Sequence, residues 1–138
     1  MLRGGCAYIL EPIVANTAKK ILIADDDADI RRMLRFHLED RGFELVIARN
    51  GAEALEMILV ENPDAVILDV MMPELTGWEV LKYLRTKDAF QELPVLMLTG
   101  IGESLNETTS PLFGASAFLD KPFDLDDVDA KLDEFFAS

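Results

Sequence analysis

The sequence predicts an α/β domain built on a doubly wound, five-stranded parallel sheet, and three observations carry that prediction. Short apolar runs recur at 21–24, 44–48, 65–69, 94–98 and 115–119. The clearest, Ala65-Val66-Ile67-Leu68, is apolar throughout rather than alternating, as a strand buried on both faces should be. Between the runs lie longer stretches with apolar residues three or four apart, the spacing of a helix with one buried face. Several runs also end in polar or acidic residues, at the strand ends where ligands collect in open α/β sheets. Alternating strands and helices of this kind fold with helices on both faces and right-handed crossovers.

The elements follow in order. Residues 1–18 show no clear period and are read as an N-terminal extension, with 19–137 as the domain. Ile21-Leu22-Ile23-Ala24 is the first strand and runs into Asp25-Asp26-Asp27. Asp27 or Asp29 can cap the next helix, where a carboxylate favours the positive end of the helix dipole. That helix carries Ile30, Met33, Leu34 and Leu38 on one face, and Gly42 stops it. Glu44–Ala48 is the second strand. Asn50 with Glu53 resembles a capping box for a helix with Leu55, Ile58 and Leu59 inward. Pro63 separates that helix from the third strand, Ala65–Asp69, and Pro73 follows.

Gly77–Thr86 is the third helix, with Leu81 and Leu84 spaced to pack. Pro94–Leu98 is the fourth strand and delivers Thr99 and Gly100. Ala115–Leu119 is the fifth and delivers Asp120-Lys121-Pro122. Asp124 then caps a last helix, Leu125–Phe136, with Leu125, Val128, Leu132 and Phe135 or Phe136 inward.

Composition narrows the function. The length of 138 residues suits one domain, and half the residues are hydrophobic, enough for a sizeable core. A formal charge of −13 argues against nucleic acid as a partner, because Lys and Arg supply most phosphate-backbone affinity. The single cysteine, Cys6, cannot form an intramolecular disulfide, which points to a reducing, cytoplasmic setting. No apolar run approaches membrane-spanning length, so no membrane insertion is expected. Residues 1–10 are weakly signal-like, but Glu11-Pro12 interrupts them.

The strand ends carry the chemistry. The first delivers Asp25 and Asp26, the third Asp69, the fourth Thr99 and the fifth Lys121. In a parallel sheet these ends lie along one edge. Three carboxylates together repel, raising the pKa of at least one unless a cation intervenes. An oxygen-only cluster suits a hard divalent ion such as Mg²⁺. A metal, an ammonium and a hydroxyl around one carboxylate form a receptor for a phosphoryl group, and that carboxylate can itself act as nucleophile.

These pieces resemble the receiver domain of bacterial two-component response regulators. The match lies in Ile21-Leu22-Ile23-Ala24-Asp25-Asp26-Asp27, in Leu68-Asp69-Val70-Met71-Met72-Pro73 with Gly77, in Leu98-Thr99-Gly100, and in Asp120-Lys121-Pro122-Phe123. The resemblance implies a flavodoxin-like strand order, 2-1-3-4-5. It implies that Asp69 is the phosphoacceptor, that Asp26 binds Mg²⁺ directly and Asp25 through water, and that the Met71 carbonyl completes the protein's share of the ligands. Lys121 would pair with Asp69 and then with the phosphoryl group, before a cis bond to Pro122. Thr99 would be the switch hydroxyl and Phe118 the aromatic that turns inward behind it. The implied partners are a histidine kinase or histidine phosphotransfer protein as donor and a downstream effector protein. No DNA-binding element follows Phe136, so output is expected through protein contact unless the chain is a piece of something longer.

Other readings compete residue by residue. The Asp25–Asp27 run alone could be a solvated cap, Lys121 a loop lysine, and Phe118 plain core. His37 reads as a boundary packing residue. The acidic residues of the last helix read first as a solvated face. An aspartate-nucleophile Mg²⁺ phosphohydrolase usually has a second acid two residues after the nucleophile, where Met71 stands. A docking module that has lost phosphorylation would not need the complete set. A dinucleotide-binding domain would need a glycine-rich loop after the first strand, where three acids stand.

Two departures from the family pattern add expectations. Residues 103–113, in the place of the family's fourth helix, hold two threonines, two serines and Pro111, so an irregular fourth helix is predicted. Met71 and Ile101 are apolar where polar side chains can orient the hydrolytic water, so a long-lived phosphorylated state is predicted.

Overall fold

The computed structural model describes residues 18–100 and 114–137. The chain runs β1 (Lys20–Ala24), α1 (Ala28–Asp40), β2 (Glu44–Ala48), α2 (Gly51–Glu61), β3 (Ala65–Asp69), α3 (Gly77–Arg85), a 3₁₀ turn (Asp88–Phe90), β4 (Val95–Thr99), β5 (Ala117–Asp120) and α4 (Leu125–Phe136). The sheet order is β2-β1-β3-β4-β5, with every pair parallel. This is the order 2-1-3-4-5 that the resemblance implied. The expected extension over 1–18, apart from its last residue, and the irregular element over 103–113 lie outside the described residues.

Strand alternation builds two cores. Leu22, Ala24, Val66, Leu68 and Met97 face α2 and α3, meeting Ala54, Ile58, Val80, Leu81 and Leu84. Ile21, Ile23, Ile67, Leu96 and Leu98 face the other way, meeting Leu34 and Leu38 of α1 and Val128 and Leu132 of α4. Both faces of the central strands are therefore covered, which is why their sequences are apolar without alternation. Each fully buried Leu or Ile contributes roughly 1.5–3 kcal/mol.

Helix starts follow side-chain chemistry. Asp27, rather than Asp29, caps α1, accepting from the amides of Asp29 at 2.8 Å and Ile30 at 3.4 Å. Thr76 and Glu79 form a reciprocal capping box on α3, a signal the sequence reading passed over. Asn50 caps α2 through the Glu53 amide, but the box is incomplete. The Glu53 carboxylate reaches one residue further back, accepting from the Arg49 amide at 2.8 Å. Asp124 holds the N-cap position of α4 without a side-chain hydrogen bond; its backbone carbonyl accepts from Asp127 and Val128.

Several expectations need correction. Met33 is 39% exposed and Leu59 48% exposed. In each case the buried stripe runs through residues four apart, Leu34–Leu38 and Ala54–Ile58, and the neighbouring position turns about 100° away from it. β4 begins one residue later than expected and ends on Thr99, and β5 begins at Ala117 and ends on Asp120. The acidic face of α4 is not only solvated. Asp129 accepts from Arg41 at 2.8 Å and lies 2.9 Å from His37 Nε2, while Asp133 accepts from Arg41 at 3.1 Å, tying α4 to α1.

Candidate functional site

The C-terminal ends of β1, β3, β4 and β5 meet at one edge, and strand alternation sorts what they deliver. Asp25 continues the parity of Ile21 and Ile23, Asp69 that of Ile67, and Lys121 that of Leu119. Thr99 and Asp120 follow Met97 and Phe118 on the opposite parity. Two neighbouring groups result.

The first is a carboxylate cluster with one ammonium. Asp25 is fully buried and Asp69 is 3% exposed, whereas Asp26 is exposed. One oxygen from each of Asp25, Asp26 and Asp69 lies within 4.8 Å of the others. Lys121 Nζ stands 3.0 Å from Asp25 Oδ2 and 3.2 Å from Asp69 Oδ1. The backbone holds the cluster in place. The Asp27 amide donates to Asp25 Oδ1 at 2.9 Å, the Arg31 guanidinium donates to the Asp25 carbonyl at 2.8 Å, and the Lys121 amide donates to the Thr99 carbonyl at 2.6 Å. The Lys121–Pro122 bond is cis, as the resemblance implied.

Electrostatics make the cluster a poised one. Burial pushes the Asp69 carboxyl up to about 7, the Asp25 charge adds to the rise, and Lys121 opposes it. Burial pulls the Lys121 ammonium down, but Asp25 and Asp69 outweigh it and hold the group above its usual value. Asp25 Oδ2 is buried and ion-paired with Lys121, yet has no well-aligned hydrogen bond, so it keeps acceptor capacity. Three convergent carboxylate oxygens, one with a spare lone pair in a buried position, are a donor set for a hard divalent cation. Met71 lies two residues beyond β3 and is 60% exposed.

The second group centres on Thr99, which is 1% exposed. Its hydroxyl donates to Asp120 Oδ1 at 2.5 Å, across the last registered pair of β4 and β5. Phe118 is half-buried in β5, with its ring centroid 5.8 Å from that of Trp78 on α3. Asp25, Asp26, Asp69 and Lys121 are thus brought together as expected, while Thr99 is adjacent but engaged elsewhere. Asp120, Arg31 and Trp78 were missed by sequence reasoning. For Asp120 the available signal was its place as the final residue of β5, opposite the final residue of β4.

Comparison with known proteins agrees with this geometry. A sequence model of the response regulator receiver domain matches residues 21–133. The probable transcriptional regulator ycf27 of Porphyra purpurea is 40% identical over 117 residues, 85% of this chain and 47% of that protein. Response regulator MprA of Mycobacterium ulcerans (strain Agy99) is 43% identical over 114 residues, 82% of this chain and 48% of that protein. The chain spans about half the length of the curated relatives it matches. Among solved structures, the chemotaxis protein CheY4 of Vibrio cholerae superposes with a TM-score of 0.81 at 32% identity, covering 87% of this chain and all of that one. With the strand order, the acidic cluster and these matches in agreement, the chain belongs to the response regulator receiver domain family.

Proposed function

We propose that this domain is a phosphorylation switch that accepts a phosphoryl group from a phosphohistidine onto Asp69. The observation that carries this reading is the placement of one ammonium, Lys121, within 3.0–3.2 Å of two carboxylates at the sheet edge. An Asp69 oxygen forms the new bond to phosphorus as the bond to the donor imidazole nitrogen breaks; the nitrogen keeps the electron pair, and the ring leaves as neutral imidazole with the proton already on its other nitrogen. Lys121 then holds a phosphoryl oxygen. Thr99 donates its hydroxyl to another, and Phe118 moves inward behind it. The two resulting states present different surfaces to an effector protein.

Asp25, Asp26 and Asp69, with the Met71 carbonyl, would hold Mg²⁺. When bound it supplies positive charge that lets the carboxylates ionise together and neutralises phosphoryl oxygens. The same residues would give slow loss of the phosphoryl group to water, the only catalytic activity in this reading beyond self-phosphorylation.

The donor would be a histidine kinase or histidine phosphotransfer protein. One groove beside the site suits it: Arg31, Arg32, Arg35 and Glu39 line it with Phe36 and Ile47, Phe36 is 67% exposed, and Arg35 and Arg32 are ion-paired with Glu39 and Asp29. On a chain of formal charge −13, a face of three arginines and one glutamate around exposed Phe36 carries a net positive charge that fits an acidic, partly apolar protein surface. A cytoplasmic location goes with this reading, as do 19–137 as the receiver unit, 1–18 as an extension, and the expectation that these residues do not contact nucleic acid.

The test is incubation with Mg²⁺ and acetyl phosphate followed by intact-mass measurement, with Asp69→Asn as control. One phosphoryl increment in the unmodified chain and none in the variant is expected. No increment with any donor, or an equal one in the variant, would remove Asp69 from this role.

A further inference from the structure

We infer that Asp120 is a positioning residue that holds the Thr99 hydroxyl in the resting state and competes with the phosphoryl group for it. This rests on the reading of Thr99 as the hydroxyl that senses phosphorylation, and deepens it. Thr99 is 1% exposed, so its hydroxyl must find a protein acceptor or remain unsatisfied. Among the described residues the acceptor it has is an anion, the exposed Asp120, whose Oδ1 lies at 2.5 Å in a charge-assisted bond.

The fold makes this contact specific. Thr99 and Asp120 are register partners at the ends of β4 and β5, so their side chains leave the sheet side by side on one face. The Lys121 amide donates to the Thr99 carbonyl at 2.6 Å, fixing the same two strand ends by backbone. The Lys121 side chain is turned to Asp25 and Asp69.

The consequence is thermodynamic. Without Asp120, a phosphoryl oxygen would offer Thr99 a bond that the resting state lacks. With Asp120, Thr99 exchanges one anionic acceptor for another, and the drive toward the switched state is only the difference between them. Asp120 therefore weights the equilibrium toward rest, and its removal biases the domain toward the state a phosphoryl group selects.

The experiment measures binding of beryllium fluoride, an analogue of the phosphoryl group, in the presence of Mg²⁺ by titration calorimetry. The unmodified chain, Asp120→Ala, Asp120→Asn, Thr99→Ala and the Thr99→Ala/Asp120→Ala double variant are compared, with thermal unfolding of each. Asp120→Ala is expected to bind about tenfold more tightly, the scale of a charged hydrogen bond lost from the resting state. Asp120→Asn keeps a neutral acceptor and should show a smaller gain. Against Thr99→Ala the gain should vanish, because the competitor has nothing left to hold. Unchanged or weaker binding by Asp120→Ala would overturn the inference. So would an equal gain in the Thr99→Ala background, which would make Asp120 a general negative charge rather than a latch. If the unmodified chain bound no beryllium fluoride, the reading of the site would fall, and the inference with it.

Discussion

The carbonyl oxygen of Asp69 fills the space where a Cβ on residue 77 would stand. Gly77 opens α3 and donates its amide to the Val70 carbonyl at 2.8 Å, and a Cβ there would also lie 3.0 Å from Val70 Cα. The start of the helix is thus pressed against the end of the strand that carries the acceptor. The obstacle is backbone, which cannot rotate aside. Gly77→Ala should therefore destabilise the fold by about 1–3 kcal/mol, the usual range for forced overpacking. It should also reduce phosphorylation by displacing Asp69. Urea unfolding and acetyl phosphate stoichiometry check both; a loss below about 0.5 kcal/mol, typical of an uninvolved surface site, would contradict the close approach.

Asp69 makes stability depend on pH in a definite direction. Its carboxyl is raised from 3.8 to about 7, so the folded state binds this proton more tightly than the unfolded state. The associated stability is fully present below about pH 4 and is lost as pH rises through about 7. At roughly 1.4 kcal/mol per pKa unit, it amounts to no more than about 4 kcal/mol. Chemical denaturation at pH 5, 6.5 and 8 without divalent cations should show this decline, and Asp69→Asn should flatten it. Added Mg²⁺ should stabilise the unmodified chain more at pH 8 than at pH 5. Identical pH slopes for the two proteins would show that Asp69 is not the group responsible.

Lys121 is the counter-charge for a carboxylate with no access to solvent. Asp25 is fully buried and Lys121 only partly so, which softens the usual penalty for breaking a buried pair. Lys121→Met keeps much of the aliphatic packing while removing the ammonium. At neutral pH without metal it should cost about 2 kcal/mol, less than the buried-pair range. Mg²⁺ should restore part of that loss, because a cation held by the same carboxylates replaces the missing charge. A variant as stable as the parent in both conditions would mean that Lys121 does not balance the cluster.

The parts of this molecule legible in the sequence are those set by one residue's own chemistry. Ile21–Ala24 and Ala65–Leu68 had to be strands covered on both faces, and their ends had to carry Asp25, Asp26 and Asp69. The parts that escaped depend on two segments meeting. Leu59 and Met33 looked inward by type, yet their faces were decided by where Ala54, Ile58, Leu34 and Leu38 already packed. Asp129 looked like solvated surface until α1 brought His37 and Arg41 against it. Asp120 is the sharpest case. Its neighbour Lys121 drew notice as the site's cation, while the partner of Asp120 is set by the register of β4 on β5.

Met71 offers a prediction about time rather than equilibrium. It stands two residues past Asp69 and is 60% exposed. A thioether there neither donates to nor accepts strongly from an attacking water; Ile101, also apolar, lies outside the described residues. Water reaching the acyl phosphate would find little to orient it, so the phosphorylated form should be long-lived. Met71→Asn supplies a donor and an acceptor at this position while leaving the backbone carbonyl in place for the metal. Because the side chain is exposed, the change should alter stability by no more than about 0.5 kcal/mol. Loss of the phosphoryl group, followed by intact mass after donor removal, should quicken several-fold to about tenfold, below the ~100-fold of a positioned general base. An unchanged or slower loss would show that the residue at 71 does not govern access of water to Asp69.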